Sequence, residues 1–364
     1  MRHISKIMAI AMLATGMASC EPEQPINNNG GNGGEPATQD PLRGVALVLN
    51  EGGWGANEAS ISLLVDNTTG ETENDWFAAK NGRGLGDVAQ DMVAYGSKIY
   101  VTVWGSKSLE VIDRNSSRSR HISLGEYEPR YMATHDGKVY ISCYSPNSVI
   151  RIDTATLQVE ATCQLGNYNP EGMAIANGKI FVASQKMGLG NNEFAFDNKV
   201  YVIDIASFSS TGTVTVGMNP NKVMVYNSQY VVVNCFGEYN ASTYSYIDPK
   251  VAFINTETHE ATIYDYDLTD FDVYNNTVYG FCTSYGSNMY VQLAGDPRSI
   301  TYISSIMDSG VKPYKININQ DTGDEYLTTT GDYIANGDVR FTSQDRTRKW
   351  SSQVGMLPTK VVFL

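Results

Sequence analysis

The chain has 364 residues, a formal net charge of −13 and only four histidines. An acidic balance of this size excludes a nucleic-acid binder, since affinity there comes mainly from Lys and Arg neutralising phosphates. Four cysteines beyond Cys20, namely Cys143, Cys163, Cys235 and Cys282, fall in separate blades or on non-adjacent strands of the repeat described below. They are expected to be buried small hydrophobes and not bridges.

Residues 1–19 carry Arg2 and Lys6, then the apolar run Ile7–Met17, then Ala18-Ser19 directly before Cys20. The run is too short to cross a bilayer and reads as a secretory signal. Small residues before Cys20 resemble the lipobox of bacterial lipoproteins, which implies removal of the signal and acylation of Cys20. Residues 20–42, rich in Asn, Gly, Pro and Glu, have no hydrophobic periodicity and are expected to form a flexible tether. Glu21 and Glu23 resemble the acidic export signal of lipoproteins displayed on the outer leaflet of Gram-negative bacteria.

From residue 43 to Leu364 the sequence repeats with a period of roughly 40 to 50 residues, the mark of stacked or radially arranged units. Its clearest copies are Met92–Thr102, Met132–Ser142 and Met173–Ala183. Each unit opens with an inner strand often led by proline, as at Pro129, Pro170, Pro220 and Pro313. A tight turn such as Asp136-Gly137 or Asn177-Gly178 follows, because these pairs accept positive φ. The third strand alternates apolar and polar residues and ends on Asx, as in Leu109–Asp113, Val149–Asp153, Val200–Asp204 and Val251–Asn255. Seven such units predict an all-β, seven-bladed β-propeller of four-stranded antiparallel blades. Gly44–Asn50 aligns with a second strand lacking a first, and Pro358–Leu364 is a first strand lacking a second. The C-terminal strand is therefore expected to complete the N-terminal blade.

Loops joining second to third strands gather on one face of a propeller, and here all seven contain aromatics. Trp54, Trp104, Tyr144, Met187, Phe194, Phe236, Tyr239, Tyr285 and Tyr333 are the expected contact surface. Aromatic side chains mixed with Asn, Gly and Ser give flat apolar contact plus hydrogen bonds. Asn81, Arg83, Gln185 and Asn240 are the expected polar partners. Asn81 and Arg83 lie in the blade-to-blade segment Ala79–Gln90, whose Gly-rich run lacks the Lys-Ser/Thr of a phosphate loop. No HExxH, GxSxG or paired-Cys motif supplies a catalytic or metal centre. Carboxylates near the mouth, Glu51, Glu58, Glu126, Glu128, Glu171, Glu193 and Glu238, are the only reservoir for acid–base work.

With the opening motif Asn50-Glu51-Gly52-Gly53-Trp54-Gly55 in place, the chain resembles the YncE-like seven-bladed propeller lipoproteins. Within them it is most similar to the cobalamin-capturing lipoproteins that sit over the outer-membrane vitamin B12 transporter. That resemblance implies a non-enzymatic, surface-exposed outer-membrane lipoprotein. It would bind a corrinoid, use no catalytic cofactor, pass cobalamin to a TonB-dependent transporter, and otherwise be a monomer held to the membrane by its lipid alone. The same loop composition suits a protein or glycan partner. A third reading, a metal-dependent propeller lyase or lactonase, requires mouth carboxylates that converge.

Overall fold

The structure, a computed structural model, describes residues 42–364 apart from 191–192, 241, 244 and 284–287. The expected signal, Cys20, the tether up to residue 41, and Tyr285 therefore lie outside the described residues.

Seven four-stranded antiparallel sheets account for the repeats. From blade two to blade seven the inner strands are Ala89–Tyr95, Pro129–His135, Pro170–Ala176, Pro220–Asn227, Asp270–Tyr274 and Pro313–Ile318. In blade one the inner strand is Pro358–Phe363, which pairs with Ala46–Asn50 as the sequence implied. Each inner strand packs against the next around a closed ring. Closure removes the free seam that would otherwise offer unpaired edges.

The core is divided into seven seams, one between each pair of neighbouring blades. Strand periodicity builds them, because successive side chains point to opposite faces of a blade. In blade one, Leu47 and Leu49 enter the seam with blade two, while Ala46 and Val48 enter the seam with blade seven. Leu42, at the end of the expected tether, is buried in the first of these seams. The four cysteines of the propeller are free and buried.

Turn chemistry follows the sequence pattern. Asp136-Gly137 and Asn177-Gly178 both adopt positive φ, as tight hairpin turns require. Asp113, Asp153, Asp204 and Asn255 each accept N–H bonds from residues two or three ahead, which starts the turn to the outer strand. Two elements depart from the repeat. A short helix, Trp76–Asn81, links blades one and two and buries Trp76 and Phe77. A small hairpin, Glu238–Asn240 with Ser245–Ile247, rises from the loop of blade five.

Inner strands of neighbouring blades belong to separate sheets, so no ladder pairs their facing N–H groups. Side chains of the preceding blade supply the acceptors instead. Asp91 accepts from Met132 N–H at 2.9 Å, Asp270 from Ile316 at 2.9 Å, Asp272 from Ile318 at 2.8 Å and Asn317 from Val361 at 3.2 Å. Gly172 permits a close approach between two inner strands, since a Cβ there would stand 2.7 Å from the Asn221 carbonyl oxygen.

Candidate functional site

One hydrogen bond recurs from blade to blade and sets the face. The first residue past the second strand's pairing with the inner strand donates its N–H to the carbonyl just before the inner strand. Trp104 donates to Val88 at 2.8 Å, Tyr144 to Glu128 at 2.9 Å, Gln185 to Asn169 at 2.9 Å and Phe236 to Asn219 at 3.0 Å. Trp104 and Tyr144 thereby hold equivalent positions in adjacent blades.

Their rings form an arc with Trp54. The centres of Trp54 and Trp104 are 4.5 Å apart, and Trp104 meets Tyr144 edge-on at 5.9 Å. Beneath the arc the Arg130 guanidinium stands 4.8 Å from the Trp104 ring centre and 4.4 Å from that of Tyr144. Contacts of this kind are attractive because the ring face is electron-rich, by about 0.5–2 kcal/mol each. Arg130 also donates to the Glu171 carboxylate at 3.1 and 3.3 Å and to the Gln90 side-chain oxygen. Gln90 in turn donates to the Tyr131 hydroxyl at 3.1 Å.

Arg130, Glu171 and Gln90 are each the second residue of an inner strand, which aims all three at the mouth. Burial pushes the Glu171 carboxyl up, and Arg130 opposes that shift without cancelling it. Tyr314 shares this level; burial, followed by the charge and hydrogen bond of Glu51, drives its hydroxyl well upward. Its ring meets Tyr333 edge-on at 6.4 Å. The outer lip is apolar and open: Trp54 is 68% exposed, Tyr333 65% and Ile334 80%.

A second aromatic group stands over blades four and five. Phe236 and Tyr239 both lean on Tyr246, at 5.4 and 5.3 Å. Lys186 lies 4.8 Å from the centre of the Phe194 ring, and Met187 lies opposite Ala195 in the same long hairpin. Gln185 is buried, and its side-chain oxygen has no hydrogen-bond partner among the described residues. Asn240 caps its own turn by accepting from Ser242 N–H at 2.9 Å.

Two expected polar partners lie elsewhere. The Asn81 amide donates to the Phe77 and Ser117 carbonyls and accepts from Ser119 N–H, which ties the short helix to the outer strand of blade two. Arg83 forms a two-pronged pair with Glu110 at 3.0 and 2.6 Å, and His121 joins the same carboxylate at 2.7 Å. Burial would raise the Glu110 carboxyl, but bonds from Arg83, Ser119 and His121 hold it below the usual range. The helix turns the chain outward here, so both side chains brace a blade interior instead of reaching the arc.

Of the mouth carboxylates, Glu171 is spent on Arg130 and Glu128 pairs with Lys107 at 2.9 Å. Among the described residues no group of three or more His, Cys, Asp and Glu could hold a metal ion. Sequence reading passed over Arg130, Tyr131 and Tyr314. A signal existed: each directly follows the proline, or the next residue, that opens an inner strand.

The molecule is thus a seven-bladed β-propeller with an aromatic arc over a buried ion pair at one mouth. The family described as "Domain of unknown function (DUF5074)" matches residues 44–336, and the chain belongs to it. No curated protein matches the chain in sequence. Among solved structures it is similar to a quinonprotein alcohol dehydrogenase-like protein from Bacteroides thetaiotaomicron, at 14% identity and a TM-score of 0.56, covering 88% of this chain and 78% of that one. The hydrazine synthase of Kuenenia stuttgartiensis gives 14% and 0.56, covering 69% and 74%. A chain of a mitotic checkpoint complex gives 13% and 0.57, covering 92% and 98%. At such identities the likeness extends to the fold alone.

Proposed function

We propose that this protein is a non-enzymatic surface lipoprotein that captures cobalamin or a related corrinoid at the aromatic mouth and passes it to an outer-membrane TonB-dependent transporter. The observation that carries the reading is the arc Trp54–Trp104–Tyr144, exposed at Trp54 and half-buried at the other two rings, fixed from below by Arg130. Large rings left partly open to water on a preordered support suit a binding surface, since the cost of ordering them has already been met in folding. A corrin is a broad disc with an apolar body and a rim of amides. It asks for flat aromatic contact flanked by hydrogen-bonding groups, and the charges of Arg130 and Glu171 beneath the arc offset each other.

Lipid anchoring rests on the lipobox-like residues before Cys20 and on the tether, which would hold the propeller close to a transporter. The test is a titration of the purified full chain with cyanocobalamin, followed by tryptophan fluorescence. Trp54 and Trp104 lie on the face itself, so saturable quenching at micromolar ligand is expected. No response at those concentrations would remove the corrinoid as ligand.

A further inference from the structure

Below the mouth, all seven inner strands line a central cavity of about 540 Å³. Its charged side chains are Asp91, Asp270, Asp272, Lys222, Lys315 and Lys360. Three acids and three bases balance in number, but their hydrogen bonds do not match in the same way. Asp91 accepts from Met92 and Met132 N–H groups, and Asp272 from those of Val273 and Ile318. Asp270 accepts from Ile316 N–H and from Lys222, whose ammonium stands 3.0 Å away and also donates to the Phe271 carbonyl. Every carboxylate oxygen in the channel thus already serves a donor.

Lys315 and Lys360 have no carboxylate within 4.0 Å among the described residues. Each is the third residue of its inner strand, and those strands belong to blades seven and one, which are neighbours. Asn317, two residues beyond Lys315 on the same inner strand, also lines the cavity and is only 4% exposed. Its side-chain oxygen accepts from Val361 N–H, yet its amide nitrogen is buried with no partner. A buried donor left unmade costs about 1–3 kcal/mol, so its persistence calls for an occupant. The unspent capacity at this seam consists of donors only: two ammoniums and one amide. Burial and then the neighbouring charges govern Lys222, and among those charges Lys360 and Lys315 push its ammonium toward neutrality. Lys222 therefore lies within electrostatic reach of both Lys315 and Lys360, and Lys360 in turn eases the charge of Asp91 and Asp272.

We propose that the central channel binds a small oxyanion at the seam of blades seven and one, held by Lys315, Lys360 and the Asn317 amide. A phosphate group or carboxylate would accept from all three and relieve the repulsion between the ammoniums. Lys315 borders the mouth, its ammonium 5.3 Å from the Tyr314 ring centre, but the oxyanion site does not depend on what the aromatic arc binds.

Inorganic phosphate is the probe, titrated calorimetrically into the full chain against chloride of equal ionic strength. Saturable binding of one phosphate per chain, absent with chloride, is expected. Asn317→Asp keeps an acceptor for Val361 N–H and puts a carboxylate oxygen in place of the free donor; it should weaken binding at least tenfold, as should Lys360→Gln. An absence of saturable heat in the unaltered protein overturns the proposal. So does unchanged phosphate affinity in Asn317→Asp, whose near-identical shape keeps the fold even if Lys360→Gln does not.

Discussion

Replacing Arg130 by Met probes the support under the aromatic arc. Arg130 is 12% exposed at its side chain and Glu171 2%, so the substitution leaves a carboxylate buried without its cation. Stranding one partner of a buried pair costs roughly 3–5 kcal/mol. The rings of Trp104 and Tyr144 also lose the guanidinium between them. Against a domain stability of about 5–15 kcal/mol this is a large fraction. In urea, with a slope of about 2–3 kcal/mol/M, the midpoint should fall by about 1–2 M. The double variant Arg130→Met with Glu171→Met removes both charges and should regain most of the loss, since apolar replacement of a buried pair is often neutral. A single variant whose midpoint stays with the unaltered protein would refute the view that this pair organises the mouth.

Three further outcomes follow from the geometry. Deleting Pro358–Leu364 strips Ala46–Asn50 of its partner and removes Val361 and Val362 from their seams; calorimetry should show no cooperative melting, and a melt like that of the intact chain would contradict the closure. Arg83→Met should lower the melting temperature by leaving Glu110 short of a partner, while cyanocobalamin affinity stays unchanged; a loss of affinity at full folding would return Arg83 to the binding face. Glu325→Gln tests pH linkage. Burial raises the Glu325 carboxyl despite the Arg346 guanidinium 3.1 Å away. A raised folded-state value means its favourable contribution is full below the unfolded value of about 4.5 and is lost as pH rises through the folded value. The stability of the unaltered protein relative to Glu325→Gln should therefore decline as pH is raised from 4 to 8 in denaturation series, and an increase would show the sign to be wrong.

Blade count and the Asx turns were legible because each depends on residues close in sequence, and closure followed from finding an incomplete unit at each end of the repeat. Alternation places Leu47 and Val48 in different seams whatever their neighbours are, and Asp113 bonds to residues two or three ahead. The mouth was half legible. Trp104 and Tyr144 stand at the same point of successive repeats, so their meeting could be read from the register. Arg130 and Glu171 are separated by 41 positions and meet only because inner strands of neighbouring blades converge. Asn81 and Arg83 were expected at the mouth because their polar segment joins one blade to the next. The helix Trp76–Asn81, anchored by burying two aromatics, redirects that segment toward Ser119 and Glu110. Nothing in a strand repeat announces such a turn.

Calorimetric titration of cyanocobalamin into the full chain and into the Trp104→Ala, Tyr144→Ala double variant tests the central claim most directly. Stable, saturable binding to the unaltered protein is expected, with at least a hundredfold loss in the variant, since two adjoining rings of the arc are gone. Each buried aromatic contact is worth on the order of 2 kcal/mol at a hot spot, which two such losses convert to that factor or more. Equal affinity in a folded double variant would contradict the assignment of this face.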